Sequence, residues 1–193
     1  AESSYRVNDI GIISILQRAS IDVIALCEEF GLRDEAREME AHVHLTHGAV
    51  EALWSSRWQQ YVSRNAITCE LLDSPTSAGL LGAYAGFERD LSPTVRQWLA
   101  ETPYGLPSTR STSPGFEPLR YWRGPVWQHI NMLIATGLND QGHNTEALAI
   151  RDCSARLFSA SGFHEYYDPL TGQGLGGKNF SWTAATFLHW IAA

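Results

Sequence analysis

Apolar residues recur every three or four positions near the start of the chain, at Ile12, Ile13, Leu16, Ala19, Val23, Leu26 and Phe30, with Gly31 closing the run. That period is one face of an α-helix, which the pattern predicts from about Asp9. After Leu32 and Arg33, Asp34 opens a second helix that turns Met39, Val43, Val50 and Trp54 inward, so the two form an αα-hairpin with a short turn. The stretch Trp58-Gln59-Gln60-Tyr61-Val62 reads as a short strand or a loop. Ser74-Pro75 and Ser92-Pro93 each look like a capping serine before a first-turn proline, which predicts helices at about 75–87 and 93–101. Residues 102–119 mix prolines with serine, threonine and glycine. They read as a long connection inside one domain, of the kind that often carries function. Further helices are predicted at about 125–138, opened by Gly124-Pro125, at 144–160 with Asn144 as cap, and at 181–191 with Ser181 as cap. No strand periodicity is convincing. The chain is expected to be a single all-α piece over residues 1–193, built on helical hairpins. Periodicity alone equally allows an irregular bundle, a helical solenoid or part of a toroid.

Composition narrows the function classes. A chain of 193 residues, 44% hydrophobic and 18% charged, suits one globular domain or a large piece of one. No uninterrupted apolar run reaches the roughly 18 residues of a membrane span, and the first residues lack a basic-then-apolar signal pattern. The missing initiator Met fits a fragment or a processed chain. A net charge of −7 disfavours nucleic acid, which requires a basic surface. Cys27, Cys69 and Cys153 are widely spaced and odd in number, and read as reduced thiols in a cytoplasmic protein. Neither a metal nor a cofactor is expected. The glycines at 172, 174, 176 and 177 lack the Lys-Ser/Thr and the preceding strand of a phosphate loop. They read as glycines that let a loop fold tightly beside a ligand.

Candidate chemistry concentrates between Tyr121 and Trp182. Tyr121 and Trp122 precede the predicted helix at 125, and Trp127 and Asn131 would share one of its faces. Flat rings beside amides suit a sugar, which has an apolar C–H face and a rim of hydroxyls. The same tryptophans would equally serve a core. Glu165, flanked by His164, Tyr166 and Tyr167, is a carboxylate that an aromatic loop could tune as a general base, or else an ordinary solvated one. Arg123 reads as a clamp on loop carbonyls in preference to a planar fork for a ligand carboxylate, Trp182 as core, His42, His44 and His47 as surface residues, and Asp73 and Asp168 as turn formers in preference to catalytic acids.

The motifs YWRGPVW at 121–127, GFHEYYDPLTGQGLGG at 162–177 and FSWTAA at 180–185, with YRVND at 5–9, together resemble the C-terminal half of the catalytic domain of glycoside hydrolase family 63. Within that family the resemblance is to the glucosylglycerate and mannosylglycerate hydrolases. It implies about half of an (α/α)6 toroid and hydrolysis of a small α-glucoside or α-mannoside with inversion. It also implies Glu165 as the general base, and Tyr121, Trp122, Trp127 and Gln128 as the wall of the sugar pocket. An inverting enzyme also needs a general acid, with the two carboxyl groups roughly 6.5–9.5 Å apart. The family's acid, an Asp, lies in the N-terminal half and matches nothing in this chain. The chain alone is therefore expected to be inactive, and to self-associate or bind the missing half. The alternative is a non-catalytic sugar-binding or assembly module derived from such an enzyme.

Overall fold

The computed structural model describes residues 6–192, so Tyr5 of the first motif lies outside the described residues. The helices are α1 (Ile10–Glu29), α2 (Arg33–Val50), α3 (Ser77–Leu80), α4 (Ser92–Glu101), α5 (Gln128–Asp140), α6 (Asn144–Ser161) and α7 (Ser181–Thr186), the last running on as a π-helical turn over Phe187–Ile191. Three small antiparallel pairs accompany them. β1 (Val7–Asn8) pairs with β4 (Arg64–Asn65), β2 (Trp54–Ser55) with β3 (Gln60–Tyr61), and β5 (His164–Tyr167) with β6 (Gly174–Lys178). The arrangement is that of about half an (α/α)6 toroid.

α1 begins where the pattern places it, because the Asp9 carboxylate accepts the backbone N–H of Ile12 at 3.0 Å. Gly31, at φ +72°, lets the chain reverse into α2, as the predicted hairpin requires. The buried side of α1 is another matter. Ile10, Ser14, Gln17 and Cys27 face inward, and the Gln17 amide donates to the Val43 carbonyl of α2 at 3.4 Å. The periodic residues Ile12, Leu16, Val23, Leu26 and Phe30 are exposed, Phe30 by 72%. α1 is thus apolar on two sides and covered on one. By length and composition it would also suffice to cross a membrane, which uninterrupted runs do not suggest because Gln17, Arg18 and Asp22 break them.

The main core joins Ile10, Tyr61, Leu80, Phe87, Leu91, Trp98, Leu106, Ile134, Leu138 and Ile150, gathering α1, α3, α4, α5 and α6 around one centre. A second cluster of Val126, Leu157, Phe158 and Tyr167, flanked by Phe163 and Phe187, lies under β5. Between them runs the connection over residues 102–127, which the Asn131 side chain clamps. Its Oδ1 accepts from the Leu106 N–H, and its Nδ2 donates to the Leu106 carbonyl, both at 2.9 Å.

Three expectations are corrected. The helix predicted at 75–87 is one turn starting at Ser77, because this segment is pressed against β3: a Cβ on Gly79 would sit 1.9 Å from the Tyr61 carbonyl oxygen, and Gly86 turns the chain out at φ +73°. The helix predicted from Pro125 begins at Gln128, because Val126 is extended and bonded to two other segments. Strands exist beyond the stretch 58–62, read as a strand or a loop, which does hold β3; most are two residues long, too short for alternation to register.

The close approach of α5 to the turn after α3 supplies a test. A Cβ on Gly137 would meet the Tyr84 backbone nitrogen at 2.2 Å. Gly137→Ala should therefore cost about 1–3 kcal/mol through overpacking, and lower the midpoint of a thermal melt by several degrees. An unchanged midpoint would contradict this packing.

Candidate active site

The site is built by joining two segments distant in sequence. Val126 donates to the Tyr167 carbonyl at 2.8 Å and accepts from its N–H at 3.0 Å, locking the end of the long connection onto β5. Tyr167 is fully buried; its hydroxyl donates to the Gly162 carbonyl at 2.6 Å and accepts from the His164 N–H at 3.1 Å. Burial pushes the Tyr167 phenol up to about 12, so it stays protonated as that donor. Thr183 of α7 adds a hydroxyl bond to the His164 carbonyl at 2.6 Å. At the far end Asp168 makes the turn expected of it, accepting from the Leu170 N–H and the Thr171 hydroxyl.

The hairpin register then slips. His164 pairs with Lys178 and Tyr166 with Leu175, so Gly176 and Gly177 together oppose Glu165. Gly176 sits in the left-handed region at φ +68°, the conformation that glycine-type bulges use. The bulge aims the Gly177 N–H at Glu165 Oε2, 3.2 Å away. A Cβ on Gly176 would lie 2.6 Å from that same oxygen, and one on Gly174 would lie 2.2 Å from the His164 ring. These glycines make room for the protein's own side chains, which is the tight folding read for them in the sequence. The His164 Nδ1 is buried without a hydrogen-bond partner among the described residues.

Opposite the hairpin stands a stack of rings. Trp122 lies face to face on Trp127, with centroids 4.1 Å apart and planes 7° apart. Tyr121 meets Trp127 edge-on at 4.9 Å and Tyr166 at 5.4 Å, and its hydroxyl lies 3.3 Å from Glu165 Oε1. Glu165, Tyr121, Trp122 and Trp127 are therefore brought together, although not all reach the surface. Tyr121 and Trp122 are about half exposed, whereas Trp127 is 2% and Gln128 1% exposed. Trp127 and Gln128, expected in the open wall, are thus corrected to positions behind it. Trp127 packs under Trp122 and donates its Nε1–H to the Tyr121 carbonyl at 3.1 Å. Asn131 faces Leu106 instead of the rings.

Two residues extend the wall beyond what sequence indicated. Trp182, read as core, is 56% exposed. His129 stands edge-on between it and Trp122, 5.1 Å and 6.5 Å away. The sequence signal was the spacing of Trp127 and His129 across the start of a helix, which alone does not say that α7 would deliver another indole. Trp122 also lines a groove of about 480 Å³ along α1 and α3, with Asp9, Ile12, Ser77 and Ile130 among others. Arg123 pairs with Glu117 at 3.1 Å and donates to the Gly115 carbonyl, the structural role read for it. Asp73 is spent on Arg57 and on the Trp58 Nε1–H, and His47 lies edge-on to Phe87 instead of standing free. Among the described residues no group of three or more His, Cys, Asp or Glu could hold a metal ion.

The chain is similar to known proteins over almost its whole length. The sequence model of the mannosylglycerate hydrolase MGH1-like glycoside hydrolase domain matches residues 1–183. A mannosylglycerate hydrolase of Thermus thermophilus is 40% identical over 98% of this chain and 46% of its own length. A glucosylglycerate hydrolase of Mycolicibacterium hassiacum is 43% identical over 46% of this chain and 20% of its own. Among solved structures, a family 63 mannosylglycerate hydrolase of Thermus thermophilus in complex with Tris and D-glycerate superposes with a TM-score of 0.89 at 38% identity, over 98% of this chain and 47% of that one. The chain thus spans about half the length of these Thermus relatives.

The half-buried His129 carries a pH signature. Burial among indoles lowers its imidazole below the ordinary 6.5. The unfolded chain then takes up this proton first, so the stability tied to neutral His129 is complete above about pH 6.5 and is lost as pH falls below it. Melting curves of the native chain and His129→Asn between pH 7.5 and 5 should show the native chain losing more stability on acidification. Parallel curves would overturn this environment for the ring.

Proposed function

Since the chain belongs to the mannosylglycerate hydrolase MGH1-like glycoside hydrolase family, we propose that it supplies the general-base half of an inverting glycoside hydrolase acting on a small α-glycoside such as mannosylglycerate or glucosylglycerate. The observation that carries this reading is the placement of Glu165, half-buried on its hairpin with a carboxylate oxygen against Tyr121, at the edge of the exposed Tyr121 and Trp122 rings. There the carboxylate takes a proton from a water as that water attacks the anomeric carbon. The apolar face of the sugar lies on Trp122, which Trp127 keeps rigid from behind. The acid that protonates the leaving oxygen is an Asp on polypeptide N-terminal to this segment. That same polypeptide covers the exposed stripe of α1, where Ile12, Leu16, Ala19, Val23, Leu26 and Phe30 follow alternating four- and three-residue steps suited to packing another helix. A cytoplasmic setting goes with three cysteines that are all unpaired.

In the longer protein, Glu165→Ala should lower release of free sugar from mannosylglycerate by roughly 10²–10⁴-fold with the melt unchanged. A rate near the native one disposes of the assignment. The product's anomeric configuration, followed by proton NMR, tests inversion directly. The 193-residue chain by itself should release no sugar and should self-associate through α1 in light scattering; a monodisperse monomer would count against the unpartnered-face reading.

A further inference from the structure

We propose that Tyr121 is a positioning residue, whose hydroxyl together with the Gly177 amide fixes the Glu165 carboxylate in one orientation; the phenol's proton is committed to the base and not to the sugar. This rests on the general-base reading of Glu165 given above.

Each oxygen of Glu165 has its own donor, drawn from a different segment: Tyr121 Oη at 3.3 Å to Oε1, and Gly177 N at 3.2 Å to Oε2. A carboxylate held at both ends has a defined direction for the lone pair that will meet water. Tyr121 is itself held in three ways. Its backbone lies in the left-handed region at φ +34°, where a bulky residue is found only when its surroundings enforce it. Its carbonyl accepts the Trp127 Nε1–H at 3.1 Å. Its ring is wedged edge-on between Trp127 and Tyr166. The unusual turn separates neighbours: Trp122 goes onto the stack while Tyr121 reaches the hairpin. A phenol has one proton to donate. With that proton pointed at Glu165, a sugar hydroxyl could only donate to Tyr121. Desolvation of the phenol, then the Glu165 charge and hydrogen bond, raise the Tyr121 pKa, which keeps the proton where the geometry uses it.

The experiment compares the longer protein with Tyr121→Phe and Glu165→Gln, using mannosylglycerate hydrolysis and NMR titration of ¹³C-labelled tyrosine. Tyr121→Phe should lower kcat on the order of tenfold with KM little changed, because the carboxylate loses the donor that orients it. Glu165→Gln should let Tyr121 ionise at lower pH than in the native protein. A raised KM with kcat unmoved would assign Tyr121 to the sugar and overturn the proposal, as would a lowered melting temperature with unaltered kinetics. Should the native protein hydrolyse no glycoside, the reading of Glu165 as a base falls, and with it the positioning role. The titration then judges the contact alone, and an unshifted Tyr121 signal in Glu165→Gln removes that as well.

Discussion

Two backbone hydrogen bonds between Val126 and Tyr167 hold the site together. Neither segment has much regular structure of its own. One is the end of a connection of some two dozen residues, and the other is a four-residue strand. Joined through fully buried residues, they become a small sheet edge sealed underneath by Leu157 and Phe158. Everything above that edge follows from it. Tyr121 and Trp122 are carried out on one side, the Glu165 bulge on the other, and the rings meet the carboxylate only because the two backbones are locked in register. A buried backbone pair of this kind has no water to exchange with, which is why it can be rigid where loops are ordinarily soft.

Rigidity is reinforced from both flanks. Tyr167 closes the start of its own strand through Gly162 and His164, Thr183 ties that strand to α7, and Asn131 secures the connection at Leu106 before it reaches the rings. The second cluster of apolar residues is therefore a foundation for the hairpin, distinct from the main core that holds the helices. Precision of the candidate site is set by the smaller of the two.

Much of the helical framework was legible because it depends on local rules. The period through α1 and α2, the glycine between them, and Ser92-Pro93 in the first turn of α4 each act within a turn or two. The aromatic and carboxylate residues of the two long motifs were legible as a set, and the structure does gather Tyr121, Trp122, Trp127 and Glu165. Depth was not legible. Trp127 and Trp182 look alike in sequence, yet one is buried and the other exposed, since exposure depends on which segment arrives on top. The shortened α3 and the delayed α5 failed for the same reason: Gly79 and Val126 answer to Tyr61 and Tyr167, partners far away in the chain. The stripe on α1 marked a true helix face, although not the face this chain covers.

The glycines of β6 have a consequence for how such a site can diversify. Because a Cβ on Gly174 or Gly176 would strike His164 or Glu165, the size of these residues is set by the hairpin's own side chains, whatever molecule is offered to it. The exposed bank formed by Trp122, His129 and Trp182 is under no such internal obligation. Substitutions would therefore be tolerated there first, leaving the carboxylate's surroundings untouched while the exposed surface changes.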